Sequence, residues 1–373
     1  MSKSSRSYKA TSRRKFLLAA GAAGAAAVVM PQVSRAQTIT WRYQSTWPTK
    51  DIFHEMAIDY AKKVNDMTGG RLKLEVLSAG AVVPAFQMQE AVHVGILDGG
   101  HGVCAYWYGK HKAFSLFGTA PAFGWDSHGL LAWFYYGGGE ALYKELVNDI
   151  LKINTVGFLY FPMPTQPLGW FKKEIKTADD FKRMKYRTVG LSADLFREMG
   201  AEVTVIAGGE IVAAIDRGLL DAAEFNNPSS DIALGFPDVS KYYMTQSNHQ
   251  QCECFEVIFN KAKFDALPAE IKSILRYAAL AATADQFALA HDRYSKDLEQ
   301  IKKLGVNVVM TPDAVLKAQL SAWDRVIADQ SKDAFFKKVI DSQKAWCKRV
   351  VPYFLVNNNS TSALESAYRH FFG

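Results

Sequence analysis

The chain has 373 residues, 49% of them hydrophobic, and this length is sufficient for two domains of ordinary size. Its formal charge of +7 comes entirely from residues 1–36, which hold seven of the 44 basic side chains and no acidic one. The remaining residues carry equal numbers of basic and acidic side chains. Because the body of the protein has no basic surplus, we exclude a nucleic acid as its partner.

Residues 1–36 have the features of an export signal. Arg13 and Arg14 form a twin-arginine pair, the 14 residues 17–30 are apolar, and small residues surround a cleavage site after Ala36. An apolar run of this length is short for a membrane span, so a retained anchor is the weaker alternative. No later segment is apolar for about 18 residues, and we therefore expect an exported protein without a membrane span.

After this signal, the first half of the chain alternates patterns that are typical of strands and helices. Residues 39–47, 71–80 and 96–102 have the composition of strands, and apolar residues at helical spacing occupy 51–70 and 84–95. This order is typical of a parallel sheet with crossover helices.

The second half repeats the same alternation. Strand, helix, strand, helix and strand are predicted at 185–190, 191–200, 201–209, 210–218 and 219–225. Ser192 is a plausible cap for the first of these helices. An overlay of residues 90–102 on 213–225 gives His101 and Glu224 equivalent places, both at the carboxyl end of a strand, where open α/β sheets bind ligands.

Helical spacing dominates the rest of the chain, over residues 268–305 and 312–354. We therefore predict an α/β fold with two lobes, a cleft between them and a helical C-terminal part. The predicted units are lobe I at 37–160, continued by about 250–305, lobe II at 161–249, and C-terminal helices at 306–373.

Motifs for covalent catalysis are absent from the sequence. It contains no GxSxG, HExxH or GxxxxGK[ST] pattern, and its eight histidines do not cluster at metal-ligand spacing. Binding is therefore favoured over catalysis. An enzyme remains the alternative, with Glu224 as a general base beside a cation.

Arg187 is an unusual residue for a predicted strand that leads into a cleft. A buried guanidinium needs an anionic partner, and its planar fork fits a carboxylate in a bidentate manner. The partner is either a ligand carboxylate or Glu224 in an intramolecular salt bridge, and the residues alone leave both alternatives open.

Several oxygen donors in the chain suit a hard cation. The side chains of Gln166, Glu224 and Gln250 and the backbone carbonyl of Phe225 are ligands of the kind that calcium takes. A cation would let Glu224 and a ligand carboxylate share one dry cleft. The aromatic side chains available for the walls are Phe86, Tyr106, Trp107, Tyr108 and Phe225.

Several motifs together resemble the extracytoplasmic solute-binding proteins of tripartite ATP-independent periplasmic (TRAP) transporters. The similar stretches are 69–92, 105–110, 135–146, 169–190, 206–225 and 234–243. The resemblance covers essentially the whole chain from about Thr38 onward. The nearest subgroup binds 2-oxo and 2-hydroxy monocarboxylates through a metal ion.

The resemblance implies a two-lobe periplasmic-binding-protein fold that closes on its ligand. It implies that Arg187 grips the ligand carboxylate and that Tyr106 occupies an aromatic position of the first lobe. The sodium or calcium ligands that it implies are Gln166, Glu224, the carbonyl of Phe225, and Gln250, with Glu253 as the alternative to Gln250. Phe225 stands where the subgroup often has Trp, and Asn226 or Asn227 is available for extra ligand oxygens.

We therefore expect a periplasmic receptor that captures a small organic acid, such as pyruvate or lactate, and delivers it to TRAP permease subunits. An aromatic or dicarboxylic acid is the alternative ligand, and a metal-assisted enzyme acting on a keto acid is the less favoured function. The resemblance also allows a homodimer through the long helix at 269–304.

Overall fold

Two β-sheets organise the chain in the computed structural model, which describes residues 38–119, 121, 123–357 and 361–372. The export signal predicted at 1–36 lies outside these residues. The strands in chain order are β1 (Ile39–Ser45), β2 (Leu72–Leu77), β3 (Gly99–Val103), β4 (Thr155–Met163), β5 (Gly169–Phe171), β6 (Lys185–Arg187), β7 (Glu202–Thr204), β8 (Ala222–Ala223), β9 (Tyr242–Thr245), β10 (Glu253–Asn260) and β11 (Asn307–Met310).

Helices connect these strands and cover the sheets. They are α1 (Ile52–Met67), α2 (Met88–His93), α3 (Ser115–Gly118), α4 (Ser127–Tyr136), α5 (Gly139–Lys144), α6 (Leu191–Glu198), α7 (Ile211–Asp216), α8 (Pro228–Leu234), α9 (Phe236–Val239), α10 (Lys261–Asp265), α11 (Ala269–Lys303), α12 (Asp313–Gln330), α13 (Ala334–Asn357) and α14 (Thr361–Phe372). Within the described residues, no helix is both long enough and apolar enough to span a membrane.

The first sheet has the strand order β2-β1-β3-β10-β4. β1 pairs in parallel with β2 and β3, as the alternation of strands and helices predicts. β10 is antiparallel to both β3 and β4, and the sequence patterns predicted neither β4 nor β10. The sheet is therefore mixed, with a parallel half built from local crossovers and an antiparallel half built from distant parts of the chain.

The second sheet has the strand order β11-β9-β5-β8-β6-β7. β6 is parallel to β7 and β8, whereas β5 is antiparallel to β8 and β9. β11, which the predicted division placed with the C-terminal helices, is an edge strand of this sheet. The α/β class with two sheets is confirmed, and the predicted lobe boundaries stay a prediction.

The predicted cap of α6 is wrong. The helix begins after Gly190, which is its N-cap, and Ser192 lies inside the first turn. The Ser192 hydroxyl instead donates to the backbone carbonyl of His249, at 3.1 Å. Ser192 thus connects α6 to a distant loop.

The chain passes between the two sheets three times, through residues 164–168, through residues 246–252, and from β10 to β11 by way of α10 and α11. The first two of these passages are called the crossing segments. The backbone N–H of Gln166 donates to the carbonyl of Gln250 at 3.1 Å, so the segments are bonded to each other. Side chains of α12 bond the N–H and the C=O of Asn248, at 2.8 and 2.6 Å. These bonds fix the two segments against each other and fix the second segment against α12.

Glu256, a buried acid on β10, organises the polar part of the first sheet's core. Its carboxyl group accepts hydrogen bonds from the Trp107 indole, from the Tyr143 hydroxyl at 2.6 Å and from the Cys104 thiol at 3.3 Å. Burial raises the pKa of Glu256 above its usual value. Cys104 and Trp107 are the first and last residues of the turn that contains Tyr106. Their hydrogen bonds to Glu256 therefore fix this turn.

We predict that Glu256→Ala destabilises the protein, because it leaves three buried donors without an acceptor. Each unsatisfied buried group costs about 1–3 kcal/mol, so the free energy of unfolding in urea should fall by at least about 3 kcal/mol. Glu55→Ala, which removes an exposed partner of Arg293, is the control and should change little. Equal unfolding curves for the two variants would contradict this assignment.

Candidate functional site

A buried ion pair joins Arg187, the last residue of β6, to Glu224, which directly follows β8. The two strands are parallel neighbours, so their carboxyl ends meet. Arg187 Nη1 donates to Glu224 Oε1 at 2.9 Å and to the Glu224 carbonyl at 3.1 Å, and Nε donates to the carbonyl of Ile206 at 3.0 Å. Arg187 therefore forms the intramolecular salt bridge with Glu224. Its Nη2 donor is buried and has no partner among the described residues.

Gln166 and Gln250 lie on the two crossing segments, and Gln166 brings its amide group to this ion pair. Gln166 Nε2 donates to the second carboxylate oxygen of Glu224. Its Oε1 atom, and both polar atoms of the Gln250 side chain, are buried without a partner in the described part of the chain. The structure thus places Gln166 against Glu224, and it ties Gln250 to Gln166 through the backbone.

Phe225 forms an apolar wall beside the ion pair. Its ring centre lies 5.7 Å from the guanidinium carbon of Arg187, and the ring stacks on Phe236 at 5.8 Å. A side chain at Gly208 would collide with the Phe225 ring, because an added Cβ would lie 2.3 Å from it. The glycine therefore lets this ring pack closely.

Asn226 and Asn227 follow Phe225 and have different surroundings. The Oδ1 atom of Asn227 accepts from the backbone N–H groups of Ser229 and Ser230, so this side chain caps α8. The backbone N–H of Asn226 donates to Asp231 at 3.2 Å. The Asn226 Nδ2 atom is buried and has no partner within the described residues.

Tyr106 and Phe86 form the aromatic side of the region. Their rings meet edge to face at 4.7 Å, and Tyr106 also lies 5.6 Å from the ring of Trp47. Burial raises the pKa of Tyr106, and the charge of Arg187 opposes that shift. Phe86 and Val205 both line two cavities of about 480 and 390 Å³, so this residue pair separates the two openings.

Two buried acids, Glu224 and Glu253, interact electrostatically with Arg187, and two further buried acids lie at the starts of helices. Burial raises the pKa of Glu224 to about 7 and that of Glu253 to about 8, although Arg187 lowers both. Asp231 and Asp51, which were missed, have pKa values raised by burial to about 7 and about 6. Each looked in the sequence like an ordinary acid near a helix start, and their only signal was proximity to the predicted strand ends.

His101 is not the counterpart of Glu224 that the overlay predicted. It is the third residue of the five in β3, not a residue after the strand. Its Nδ1 atom accepts from the Trp47 indole at 2.8 Å, and its ring stacks on Phe255. Burial lowers the pKa of His101 to about 3. It is therefore a neutral core residue.

Hydrogen bonds join elements of the first sheet to elements of the second beside this site, and one of them runs from the backbone N–H of Leu191 in α6 to the Ser115 hydroxyl in α3, at 3.2 Å. Tyr108, which follows β3, donates its hydroxyl to Asp194 of α6 at 2.5 Å. Ser230 of α8 donates to Asp51, the cap of α1, at 2.8 Å. These contacts join elements of the two sheets beside Arg187, which is buried.

A cation at this site would depend on amide and carbonyl oxygens. Within the described residues, no group of three or more His, Cys, Asp and Glu side chains is arranged to hold a metal. Glu224 with Gln166 and Gln250 offers one carboxylate and two amides, a donor set that suits a hard cation.

Two sheets joined by two crossing segments, with a buried charged site where the segments meet, define a two-lobe solute receptor. The chain belongs to the bacterial extracellular solute-binding proteins of family 7, whose model matches residues 43–333. It is therefore an extracytoplasmic receptor of a TRAP transporter, which delivers a small organic acid to membrane permease subunits and is not an enzyme.

Individual relatives agree with this assignment. The monocarboxylate 2-oxoacid-binding periplasmic protein of Nostoc sp. strain PCC 7120 is 31% identical over 330 residues, which cover 88% of this chain and 90% of the relative. A TRAP solute-binding protein from Pseudoalteromonas atlantica T6c, solved with sodium and pyruvate, is 29% identical with a TM-score of 0.81; the match covers 90% of this chain and all of that one.

A third relative was solved with a different ligand. The TRAP solute-binding protein of Bordetella bronchiseptica RB50 is 25% identical with a TM-score of 0.86, again over 90% of this chain and all of the other. Its crystals contain a dimer of mixed occupancy, with copurified calcium and picolinate in one site and an apo second site.

We predict that Tyr108→Phe shifts the ligand-free protein toward a more open arrangement, because it removes a hydrogen bond between elements of the two sheets. The radius of gyration from small-angle X-ray scattering should increase. Tyr136→Phe removes a hydroxyl from a side chain that is 90% exposed and serves as the control. The same radius for both variants would show that the Tyr108 bond does not hold the closed form.

Proposed function

We propose that this receptor binds a small monocarboxylate with a second oxygen on carbon 2, and that it holds this ligand through a cation. One observation carries the proposal: the site contains buried donors and acceptors that have no partner among the described residues. Arg187 Nη2, Asn226 Nδ2 and Gln250 Nε2 are donors, whereas Gln166 Oε1 and Gln250 Oε1 are acceptors. Buried polar groups are rarely left unsatisfied, so this set matches a ligand with acceptors and a cation that needs oxygens.

Arg187 supplies the charge that selects a carboxylate. Its Nη1 and Nε atoms are already bonded to Glu224 and Ile206, which hold the guanidinium plane in place. The remaining Nη2 donates to the ligand carboxylate, and Asn226 Nδ2 is near enough in sequence to Glu224 to serve the same group. A charge-assisted bond from a preorganised donor is stronger than a neutral one.

The cation supplies positive charge between Glu224 and the ligand. The proposed ligands are Glu224, Gln166, Gln250 and the backbone carbonyl of Phe225. A half-turn of the Gln166 amide exchanges Nε2 for Oε1 and places the amide oxygen beside Glu224. This oxygen and the Glu224 carboxylate would then both coordinate the cation. The Pseudoalteromonas and Bordetella relatives were solved with sodium and with calcium, which supports a hard cation here.

A 2-oxo or 2-hydroxy monocarboxylate such as pyruvate or lactate fits this donor set. The Nostoc relative is named for 2-oxoacids, and the Pseudoalteromonas relative contains pyruvate. An aromatic acid is the second candidate, because the Phe86–Tyr106 ring pair flanks the site and picolinate occupies the Bordetella relative. A homodimer through α11 stays a prediction.

We predict that Arg187→Ala weakens the binding of pyruvate and lactate about 10- to 100-fold, because the charge-assisted contact with the carboxylate is worth about 1.5–3 kcal/mol. Isothermal titration calorimetry measures the loss. Arg217→Ala, at an exposed arginine near the end of α7, is the matched control and should keep full affinity. Near-wild-type affinity of folded Arg187→Ala would refute this role.

Removal of the cation should also weaken binding. Protein exchanged into sodium-free buffer with a chelator should lose at least about tenfold in affinity and recover it when sodium or calcium is returned. Glu224→Gln should lose affinity without full recovery, whereas Glu210→Gln, at an exposed acid on the rim of the larger cavity, should recover.

Full affinity in cation-free protein would eliminate the cation and leave a receptor that relies on Arg187 alone. Native mass spectrometry of freshly purified protein gives an independent reading, because the mass of a retained acid and of its cation can be measured together. We expect one small acid and one cation per chain.

A further inference from the structure

Gly209 is a point of direct contact between elements of the two sheets. It lies in the turn between β7 and α7, on the side of the second sheet, whereas Pro48 follows β1 of the first sheet. A Cβ atom added to Gly209 would lie 3.1 Å from Cγ of the Pro48 ring. Two carbon atoms pack best at about 3.5–4.0 Å. A side chain at Gly209 would therefore press on the ring, and the glycine permits the present separation.

Gly190 makes a second contact of the same kind. It is the N-cap of α6, and an added Cβ atom would lie 2.7 Å from the Ser115 hydroxyl oxygen and 3.0 Å from Cβ of Ala105. Ser115 and Ala105 both follow β3 of the first sheet. The φ of Gly190 is +61°, a conformation that favours glycine whatever the surroundings. A substitution can therefore probe the contact at Gly209 more cleanly than the one at Gly190.

The segment that carries Gly209 also holds the proposed ligand-binding arginine. Arg187 Nε donates to the carbonyl of Ile206 at 3.0 Å. Gly208 packs against the Phe225 ring, since an added Cβ atom would lie 2.3 Å from it. Residues 206–209 thus contact the site at one end and the first sheet's side at the other. The separation at Gly209 therefore determines how far Arg187 lies from the first sheet.

Neither side of the contact between Gly209 and Pro48 can yield easily. The Pro48 side chain is a closed ring, and the carbonyl of this residue accepts from the N–H of Asp51 at 3.0 Å. On the other side, the N–H of Glu210 donates to the carbonyl of Ala207 at 3.0 Å and so closes the turn. The strain of a methyl group added to Gly209 would therefore be relieved by moving the two elements apart.

The two glycine contacts also restrict access to Arg187. This residue is 1% exposed and lines neither of the two cavities beside the contacts. Pro48 and Gly209 line the larger cavity, and Ala105 and Gly190 line the smaller one. A ligand can therefore reach Arg187 only when the elements on the two sides of these contacts move apart. Small-molecule sites enclose most of their ligand, so the contacts must form again around it.

We propose that Gly209 is a positioning residue, whose contact with Pro48 sets the separation at which the receptor holds its ligand. This inference rests on the proposed function, because it concerns the ligand held at Arg187. A ligand stabilises one arrangement only through its greater affinity for it. A methyl group at Gly209 raises the free energy of that arrangement, so it reduces the apparent affinity although it does not touch the ligand.

The first test is Gly209→Ala, titrated with pyruvate in saturating cation. Calorimetry should show about tenfold weaker binding, and stopped-flow tryptophan fluorescence should show faster dissociation, because overpacking destabilises the arrangement that holds the ligand. Gly109→Ala is the matched control. Gly109 is exposed on the rim of the smaller cavity, an added Cβ atom meets nothing within 4 Å, and neither glycine has a positive φ. The control should keep the wild-type values, and equal affinities for the two variants would overturn the proposal.

The second test restores the space that the methyl group takes. Pro48→Ala removes Cγ and Cδ of the ring, so the double variant Gly209→Ala with Pro48→Ala should return to within about threefold of the wild-type affinity. Two positions that do not touch the ligand would then be coupled through their contact alone. Additive losses in the double variant would show a local disturbance at each position and would overturn the proposal.

Small-angle X-ray scattering separates this inference from the proposed function. Failure of the wild-type protein to bind pyruvate or lactate would overturn the proposed ligand class. The radius of gyration of ligand-free Gly209→Ala should still exceed that of the ligand-free wild type, and Pro48→Ala in the same chain should reverse the increase. Equal radii for Gly209→Ala and the wild type would overturn the role of Gly209 whatever the ligand is.

Discussion

The buried ion pair between Arg187 and Glu224 is the constraint on which the rest of the site depends. Removing two charges from water costs more than their attraction returns unless further hydrogen bonds satisfy them. Here Gln166 donates to Glu224, and the carbonyl of Ile206 accepts from Arg187. Since Gln166 belongs to a crossing segment between the sheets, the satisfaction of this pair depends on how the sheets are placed. The hydrogen bonding of the ion pair and the relative placement of the two sheets are therefore coupled.

Closure also concentrates negative charge. Glu253 is buried and interacts electrostatically with both members of the ion pair, and burial together with the charge of Glu224 raises its pKa to about 8. The closed arrangement is therefore electrostatically unfavourable until positive charge enters or protons are taken up. A ligand stabilises one conformation only through its greater affinity for it. A cation that enters with the acid meets this requirement, because it neutralises the charge that closure creates.

The sequence predicted best those features that arise from local patterns. Alternating strands and helices indicated the parallel parts of both sheets, because each crossover is built from consecutive residues. β4 and β10 were missed: β4 is a nearly continuous apolar run without alternation, and β10 contains two acids. The burial of Glu256 was not predictable, since its donors Trp107 and Tyr143 lie 149 and 113 residues away. Arg187 and Glu224 were recognisable because each is a charged residue in a predicted strand that leads to the cleft, whereas the resemblance to a family was needed for Gln250.

The proposed cation site has one carboxylate and two amides, and this composition suits a receptor that must release its ligand. Three carboxylates would hold a cation tightly and repel an incoming acid, whereas one carboxylate with two amides leaves charge on the cation for the ligand. The neutral amides of Gln166 and Gln250 therefore let the acid complete the neutralisation, so that neither cation nor acid is held strongly without the other.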